Sequence, residues 1–171
     1  MKQEELDIIL ENHEKWLRGE GGEKADLSFA NLRNANLSDA NLRSADLRSA
    51  NLRNANLSDA DLRHTDLRHA NLRCADLSDA DLRHTDLTDA NLNWVNWQDV
   101  RGLTVVAVQV DTARKNNQIA YIKELDIWTT GCFQGTLDEL KASVEQTHKD
   151  NEKLRKRYYR VIDFILREVS E

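Results

Sequence analysis

A period of five residues runs without a gap from Ala25 to Asp99 and limits what this chain can fold into. Each of the fifteen pentapeptides has Ala, Thr or Val first, Asp or Asn second and leucine third, except that Trp97 replaces the last leucine. A spacing of five advances about 500° around an α-helix, so the leucines would not share a face. In a plain strand, an odd spacing alternates between the two faces. The chain is therefore predicted to turn once in every pentapeptide.

A second period, of twenty residues, indicates how many turns close a circuit. The residue before the leucine is Asp at positions 26, 46, 66 and 86, and Asn at positions 31, 51, 71 and 91. Duplication of a twenty-residue segment would produce the same period even if the period had no structural meaning. In a four-sided coil, however, twenty residues form one complete circuit, which is the unit that a duplication would be expected to copy. We therefore expect four pentapeptides per coil and just under four coils.

The pattern of a small residue, Asp or Asn, Leu and two variable residues, as in ANLRN, ADLRS and ADLRH, resembles the pentapeptide-repeat proteins. The repeats cover 75 of the 171 residues. The resemblance implies an all-β solenoid, a right-handed quadrilateral β-helix, in which the leucine and the small residue point inward. The flanks HEKWLRGEGGEKADL and GCFQGTLDEL resemble those of bacterial and phage members of undefined role.

The residue types themselves favour the same arrangement. Leucine suits the axis of the coil, alanine lets the coil narrow, and the remaining polar residues suit a surface in water. The expected structural core consists of Leu27, Leu32, Leu37, Leu42, Leu47, Leu52, Leu57, Leu62, Leu67, Leu72, Leu77, Leu82, Leu87, Leu92 and Trp97.

Stacked coils bring equivalent positions together, because neighbouring chains lie about 4.8 Å apart. A column of aspartates would repel, but Arg48 and Arg68 follow Asp46 and Asp66 by two residues and can alternate with them in charge. The asparagines at positions 31, 51, 71 and 91 are expected to form an amide ladder. Both features predict structural roles for polar residues of the repeat.

Both ends of a solenoid expose leucines and unpaired chain edges, which have to be covered. Residues 3–18 predict an amphipathic helix that stops at Gly19 and covers the first coil. Its apolar stripe comprises Leu6, Ile9, Leu10, His13 and Leu17. We therefore divide the chain into an N-terminal capping helix at 1–24, the β-helix at 25–102 and a C-terminal module at 103–171.

The C-terminal module has no repeat. Two β-strands are predicted, in LTVVAVQV and QIAYIKELDIW, joined by a polar turn at residues 111–117. Thr136 and Glu139 form a capping box that opens a helix to about residue 148. A second helix, from about Glu152, has the apolar stripe Leu154, Tyr158, Val161, Ile165 and Val169. The module is therefore predicted to be a β-hairpin followed by two helices.

Few residues outside the core suggest chemistry. His64 and His84 lie one coil apart, close enough to share a metal ion, but the sequence offers no third ligand. Cys74 has no recognisable base and orienting acid, and Cys132 follows Gly131 as a small packed residue would. The sequence contains no phosphate-binding loop, zinc-protease helix or nucleophile elbow. We therefore expect no enzyme activity and no catalytic, cofactor-binding or metal-binding residues.

One basic cluster, KLRKRYYR at residues 153–160, adjoins two tyrosines. It suits either the solvated face of a terminal helix or a contact for phosphate or an acidic partner. Trp94 is expected either to be covered by the C-terminal module or to remain exposed for binding. The candidate interaction residues are Trp94, Arg155, Arg157, Tyr158 and Tyr159.

The net charge of −6, the two cysteines and the lack of a long apolar run predict a cytoplasmic protein without a disulfide framework. Neither a membrane nor a nucleic acid is an expected partner. The expected function is a non-catalytic protein-interaction or structural scaffold with an unidentified protein partner, and with a homodimer through the C-terminal module as a candidate assembly. The resemblance supplies an alternative, because some family members mimic DNA and inhibit or protect DNA gyrase.

Overall fold

The computed structural model describes residues 1–110 and 118–170. The chain divides into two compact units, Met1–Gly102 and Leu103–Glu171, and each has its own buried core. The turn predicted at residues 111–117 lies outside the described residues.

In the first unit the chain coils with a period of twenty residues. Parallel β-bridges join residues twenty apart in four columns that start at positions 26, 31, 36 and 41. Neighbouring coils are also joined by backbone hydrogen bonds; the N–H of Leu47, for example, donates to the carbonyl oxygen of Asp66 at 2.8 Å. Four pentapeptides of the sequence therefore form one circuit of a β-solenoid.

The fifth residue of every pentapeptide turns the chain. All fifteen of these residues, from Phe29 to Asp99, have φ between 51° and 66°, which is the left-handed region. Asn, Asp and His enter this region more readily than other residues with a side chain. They occupy ten of the fifteen positions, so the composition at this position follows from the backbone geometry.

The Asp or Asn at the second position stabilises the same turn. Its Oδ1 atom accepts a hydrogen bond from the backbone N–H two residues later, as from Ser28 to Asp26 at 3.0 Å. The asparagines at positions 31, 51, 71 and 91 accept such bonds at 3.2–3.3 Å. These bonds lie within one pentapeptide, whereas the expected amide ladder would join side chains of neighbouring coils. An amide contact between coils occurs in another column, from Asn56 to Asn36 at 3.4 Å.

Leucine fills the axis of the first unit. All fourteen repeat leucines are at most 2% exposed, and Trp97 is 7% exposed. Thr65 replaces alanine in one coil, and its hydroxyl donates to the carbonyl oxygen of Leu42 at 2.8 Å. Because burial of one leucine side chain contributes roughly 2 kcal/mol, the axis is the main source of stability of this unit.

Helix α1 (Gln3–Arg18) packs against the first coil and ends at Gly19, whose φ of 71° is left-handed. Leu6 and His13 are its buried residues. The remaining members of the predicted stripe, Ile9, Leu10 and Leu17, are only half-buried. The buried part of the stripe is therefore narrower than its apolar residues suggest.

Side chains of α1 bind the open edge of the first coil. Gln3 exchanges two hydrogen bonds with the backbone of Asn36, at 2.9 Å and 3.1 Å. The N-terminal ammonium of Met1 donates to the carbonyl oxygen of Asn31 at 3.1 Å. These contacts replace the backbone partners that a preceding coil would supply.

The second unit contains a four-stranded antiparallel sheet, so the predicted hairpin is wrong in its number of strands. In spatial order the strands are β1 (Val105–Gln109), β2 (Gln118–Ile122), β3 (Ile127–Thr130) and β4 (Phe133–Gly135). The segment QIAYIKELDIW forms two strands because a 3-10 turn at Lys123–Leu125 and the left-handed Asp126 reverse the chain. Gly131, with φ of 54°, lies in the turn that leads to β4.

Two helices follow the sheet where the sequence predicts them: α2 (Leu137–Thr147) and α3 (Glu152–Glu168). The capping box of Thr136 and Glu139 is present at the start of α2. Sheet and helices share one core of Val110, Ile119, Trp128, Leu140, Val144, Tyr158, Ile162 and Ile165. Among the residues that the structure describes, no helix has the length and apolar character needed to cross a membrane.

Candidate interaction surfaces

His64 and His84 stack on one another on the surface of the solenoid. Their ring centroids lie 4.8 Å apart and their planes differ by 13°. No third His, Cys, Asp or Glu joins them to form a metal-binding group within the described ranges. The pair therefore offers two imidazole ligands at most, whereas a structural metal site needs about four.

The two cysteines are free thiols and both are exposed. The exposure of Cys132 corrects the expectation that it is a packed small residue. Cys74 occupies a left-handed fifth position, with φ of 60°, between Asn54 and Trp94 in the neighbouring coils.

The candidate interaction residues of α3 differ in their environment. Tyr158 is 7% exposed and belongs to the core, so its prediction as an interface residue is wrong. Arg155 is half-buried and ion-paired with Glu145 at 3.1 Å. The hydroxyl of half-buried Tyr159 donates to the same carboxylate at 2.8 Å. These three side chains stabilise the module itself because they lie on or beside the buried face of the helix.

Two candidates remain partly accessible. Trp94 is half-buried in its column of the solenoid, and Arg157 is half-buried on α3. Phe29 is a much more exposed aromatic residue of the first unit, at 78% exposure, and occupies a left-handed fifth position. Phe29 is not among the interaction residues predicted from the sequence, although it is an apolar residue among mostly polar fifth positions.

The outer side of α3 carries a basic stripe, which we define by the residues Lys153, Arg157, Arg160, Phe164 and Arg167. At 100° per residue these five side chains fall within an arc of about 80°, opposite buried Tyr158 and Ile162. Phe164 is 48% exposed and lies between Arg160 and Arg167 in the stripe. Within the described residues, the side chains of Lys153, Arg160 and Arg167 form no ion pair, so their charge is open to a partner.

On two sides of the solenoid, by contrast, arginines form ion pairs with aspartates. The guanidinium of Arg68 donates to Asp66 of its own pentapeptide at 2.6 Å and lies 3.7 Å from Asp86 of the next coil. Arg83 binds Asp81 in the same way through its side chain. The predicted alternation of charge is therefore present, and it forms because the second position in these pentapeptides is Asp rather than Asn.

These ion pairs lower the pKa of the aspartates. The hydrogen bond from Arg83 is the main cause that lowers the pKa of Asp81 from 3.8 to about 2, against the opposing effect of burial. The Arg68 guanidinium likewise lowers the pKa of Asp66. At neutral pH both carboxylates are ionised and compensated.

One side of the solenoid keeps its negative charge uncompensated. Its pentapeptides, at 35–39, 55–59, 75–79 and 95–99, contain no Lys or Arg. The fifth residues form the acidic column, which consists of Asp39, Asp59, Asp79 and Asp99. Three of the four are exposed and Asp79 is half-buried. Within the described residues, no member of the acidic column forms an ion pair.

Sequence reasoning identified the basic cluster but not the side of the helix that faces outward. The predicted apolar stripe includes Tyr158 and Ile165, which are buried. The positions opposite that stripe are 153, 157, 160, 164 and 167, so helical periodicity alone contained the signal. The acidic column was likewise readable from the recurrence of Ser-Asp at 38–39, 58–59 and 78–79.

Comparison with known proteins supports the interpretation of the repeat. A family model for pentapeptide repeats matches residues 23–59 and 60–96. Among solved structures, alr5209, a pentapeptide repeat protein from Nostoc PCC 7120, is 41% identical over 53% of this chain and 71% of its own, with a TM-score of 0.46. No curated protein sequence matches the chain.

Two further cyanobacterial structures are each 34% identical over 46% of this chain. Rfr23 from Cyanothece 51142 is covered over 51% of its length, with a TM-score of 0.40. HetL from Nostoc sp. strain PCC 7120, a protein involved in the regulation of heterocyst differentiation, is covered over 41%, with a TM-score of 0.24. The tandem repeats, the family model and the identity to alr5209 lead to one conclusion: the chain belongs to the pentapeptide-repeat proteins.

Proposed function

We propose that the protein is a non-catalytic interaction scaffold, in which the solenoid is the rigid body and the basic stripe of α3 recognises a protein partner. The observation that carries the proposal is the basic stripe itself. It combines the unpaired side chains of Lys153, Arg160 and Arg167 with exposed Phe164. Arginine and aromatic residues are the types that most often anchor interfaces, and three unpaired cations call for a partner with an acidic surface.

The solenoid supports this division of roles. Each coil is tied to the next by backbone hydrogen bonds and by ion pairs such as Arg68 to Asp86. Its surface repeats from coil to coil, which suits a spacer better than a surface that must discriminate between partners. The residues of α3 have no repeated counterpart in the chain.

We also propose the coil geometry that family membership implies, together with the cytoplasmic setting that the composition favours. The solenoid is a right-handed quadrilateral β-helix, and the four columns of parallel bridges support its four sides. The protein works in the cytoplasm without a cofactor. An electron-density map of the protein would test the handedness directly, because a left-handed coil would contradict it.

The acidic column favours one alternative function, mimicry of DNA by an inhibitor or protector of a nucleic-acid enzyme such as DNA gyrase. A DNA mimic needs negative charge over a broad surface. The pentapeptides at 30–34, 50–54 and 70–74 each carry an arginine and no acid, and two other sides contain ion pairs. Because arginines interrupt the negative charge on three of the four sides, we prefer the scaffold.

Capture of partners from a bacterial lysate tests the proposed function. The full-length chain is compared with Arg160→Glu/Arg167→Glu and with a matched control, Arg33→Glu/Arg43→Glu, which makes the same charge change at exposed positions of the solenoid. We expect captured proteins to be lost in the first variant and retained in the second. Loss in the control alone would assign recognition to the solenoid and contradict the proposal.

A further inference from the structure

Opposite charges lie uncompensated on two separate surfaces of this chain. The basic stripe of α3 has four cationic residues, and the acidic column of the solenoid has four aspartates. Within the described residues, Lys153, Arg160 and Arg167 of the stripe form no ion pair, and neither do the four aspartates of the column. On two other sides, in contrast, Arg63 and Arg68 are paired with Asp61 and Asp66. Unpaired like charges that lie side by side cost stability, which a partner of opposite charge would restore.

We propose that the basic stripe of one copy docks on the acidic column of a second copy. This inference rests on the proposed function, because it names the partner of the basic stripe. The acidic partner that the stripe requires is then present in the protein itself.

The basic stripe is long enough to cover the acidic column. The stripe spans about 21 Å from Lys153 to Arg167, since an α-helix rises 1.5 Å per residue. The acidic column spans about 14 Å from Asp39 to Asp99, since three coil spacings of about 4.8 Å separate them. An α3 helix laid along the column therefore brings at least three of its cations within reach of the carboxylates.

The surface beside the acidic column allows a helix to approach. The residues that precede three of the aspartates are serines, Ser38, Ser58 and Ser78, which are small and half-buried. No long side chain of these three pentapeptides projects beside the column. Phe164, between Arg160 and Arg167 in the stripe, can therefore be shielded from water when the charges meet, which strengthens the charge pairing.

Each copy carries both surfaces, so a reciprocal dimer makes the contact twice. Helix α3 packed on one narrow side of a solenoid buries a surface area below the roughly 1,000 Å² that is typical of a stable interface. A single contact of this kind is therefore weak. We therefore expect association that depends on protein concentration and that weakens as salt screens the charges.

Sedimentation equilibrium of the full-length chain tests the proposal. At low salt we expect self-association in the unchanged chain, and at least a roughly tenfold weaker association in Asp59→Lys/Asp79→Lys and in Arg160→Glu/Arg167→Glu. Circular dichroism verifies that each variant is folded. Asp59→Asn/Asp79→Asn serves as a milder variant, because asparagine tolerates the left-handed backbone of these positions.

Mixing the two charge-reversed variants provides the sharpest result. One contact of a mixed dimer pairs unchanged arginines with unchanged aspartates, and the other pairs introduced glutamates with introduced lysines. We expect the mixture to associate although neither variant does so alone. A mixture that stays monomeric, or variants that associate like the unchanged chain, would overturn the proposal. If lysate capture still depends on the basic stripe, this inference fails alone and the proposed function stands.

Discussion

The backbone N–H of Ala25 donates a hydrogen bond of 3.0 Å to Nδ1 of His13 and so joins the first repeat to helix α1. The other ring nitrogen, Nε2, lies 3.1 Å from the carbonyl oxygen of Arg43. Because Nδ1 accepts, Nε2 carries the proton and donates to that oxygen. The neutral imidazole therefore fits both partners, whereas protonation at Nδ1 would place two N–H donors against each other.

This arrangement predicts that stability falls in mild acid. Burial is the main cause that lowers the pKa of His13 below 6.5; the positive charge of Lys24 lowers it further, and the Arg43 carbonyl opposes both. The unfolded chain then binds the proton more readily, so the stabilisation is complete above about pH 6.5 and declines as the pH falls below it. Urea unfolding should show this decline in the unchanged chain and a smaller one in His13→Ala. Parallel declines would contradict the assignment.

The leucine axis is predicted to dominate the stability of the solenoid. Leu67→Asp places an unpaired charge among buried leucines and should prevent folding or cost more than about 4 kcal/mol. Arg68→Ala removes an exposed ion pair and should cost far less. Thermal unfolding measures both, and similar melting temperatures for the two variants would refute the assignment of the inner and outer positions.

The pair of Asp81 and Arg83 should contribute to stability until the pH is strongly acidic. The pKa of Asp81 is lowered from 3.8 to about 2, so its contribution is complete above about pH 4 and is lost as the pH falls toward 2. We expect Asp81→Asn to cost about 1–2 kcal/mol at neutral pH and to flatten this acid dependence. Asp26→Asn is the matched control, because Asp26 is exposed and its own pentapeptide has no arginine. An equal effect of both substitutions on unfolding would contradict the role of the ion pair.

The mixture of arginine and aspartate on the solenoid surface predicts that the protein does not inhibit DNA gyrase by mimicry of DNA. A supercoiling assay should show no inhibition at low micromolar concentration of the protein. Inhibition that disappears when Asp39, Asp59 and Asp79 are neutralised would establish the alternative function instead.

The repeat made most of the solenoid predictable, because every pentapeptide shows the same pattern of inward-facing and outward-facing residues. Leucine as the third residue of fourteen pentapeptides located the axis, and the recurrence of Asp and Asn over twenty residues located the coil. The left-handed turn was not predicted, because the polar fifth residues also suit a solvent-exposed position. Their enrichment in Asp, Asn and His was the available signal.

The second unit was less predictable because it is not repeated. A reversal at Lys123–Leu125 has no Gly, Pro or Asn-Gly to mark it, so one predicted strand is in fact two. The apolar stripe of α3 was largely identified, but Tyr158 was also taken for an interface residue because tyrosine suits both environments. Tertiary packing decided between these roles, and local sequence does not contain that information.

Photo-crosslinking from the two exposed phenylalanines tests most directly whether recognition belongs to the basic stripe. Phe164 lies in the stripe, and Phe29 lies on the solenoid outside the acidic column. A photoreactive phenylalanine analogue is placed at one position or the other in the full-length chain, which is irradiated in a bacterial lysate. We predict crosslinked protein from position 164, either to a second copy or to another acidic protein, and none from position 29. Crosslinks from position 29 alone would contradict the account and assign recognition to the solenoid.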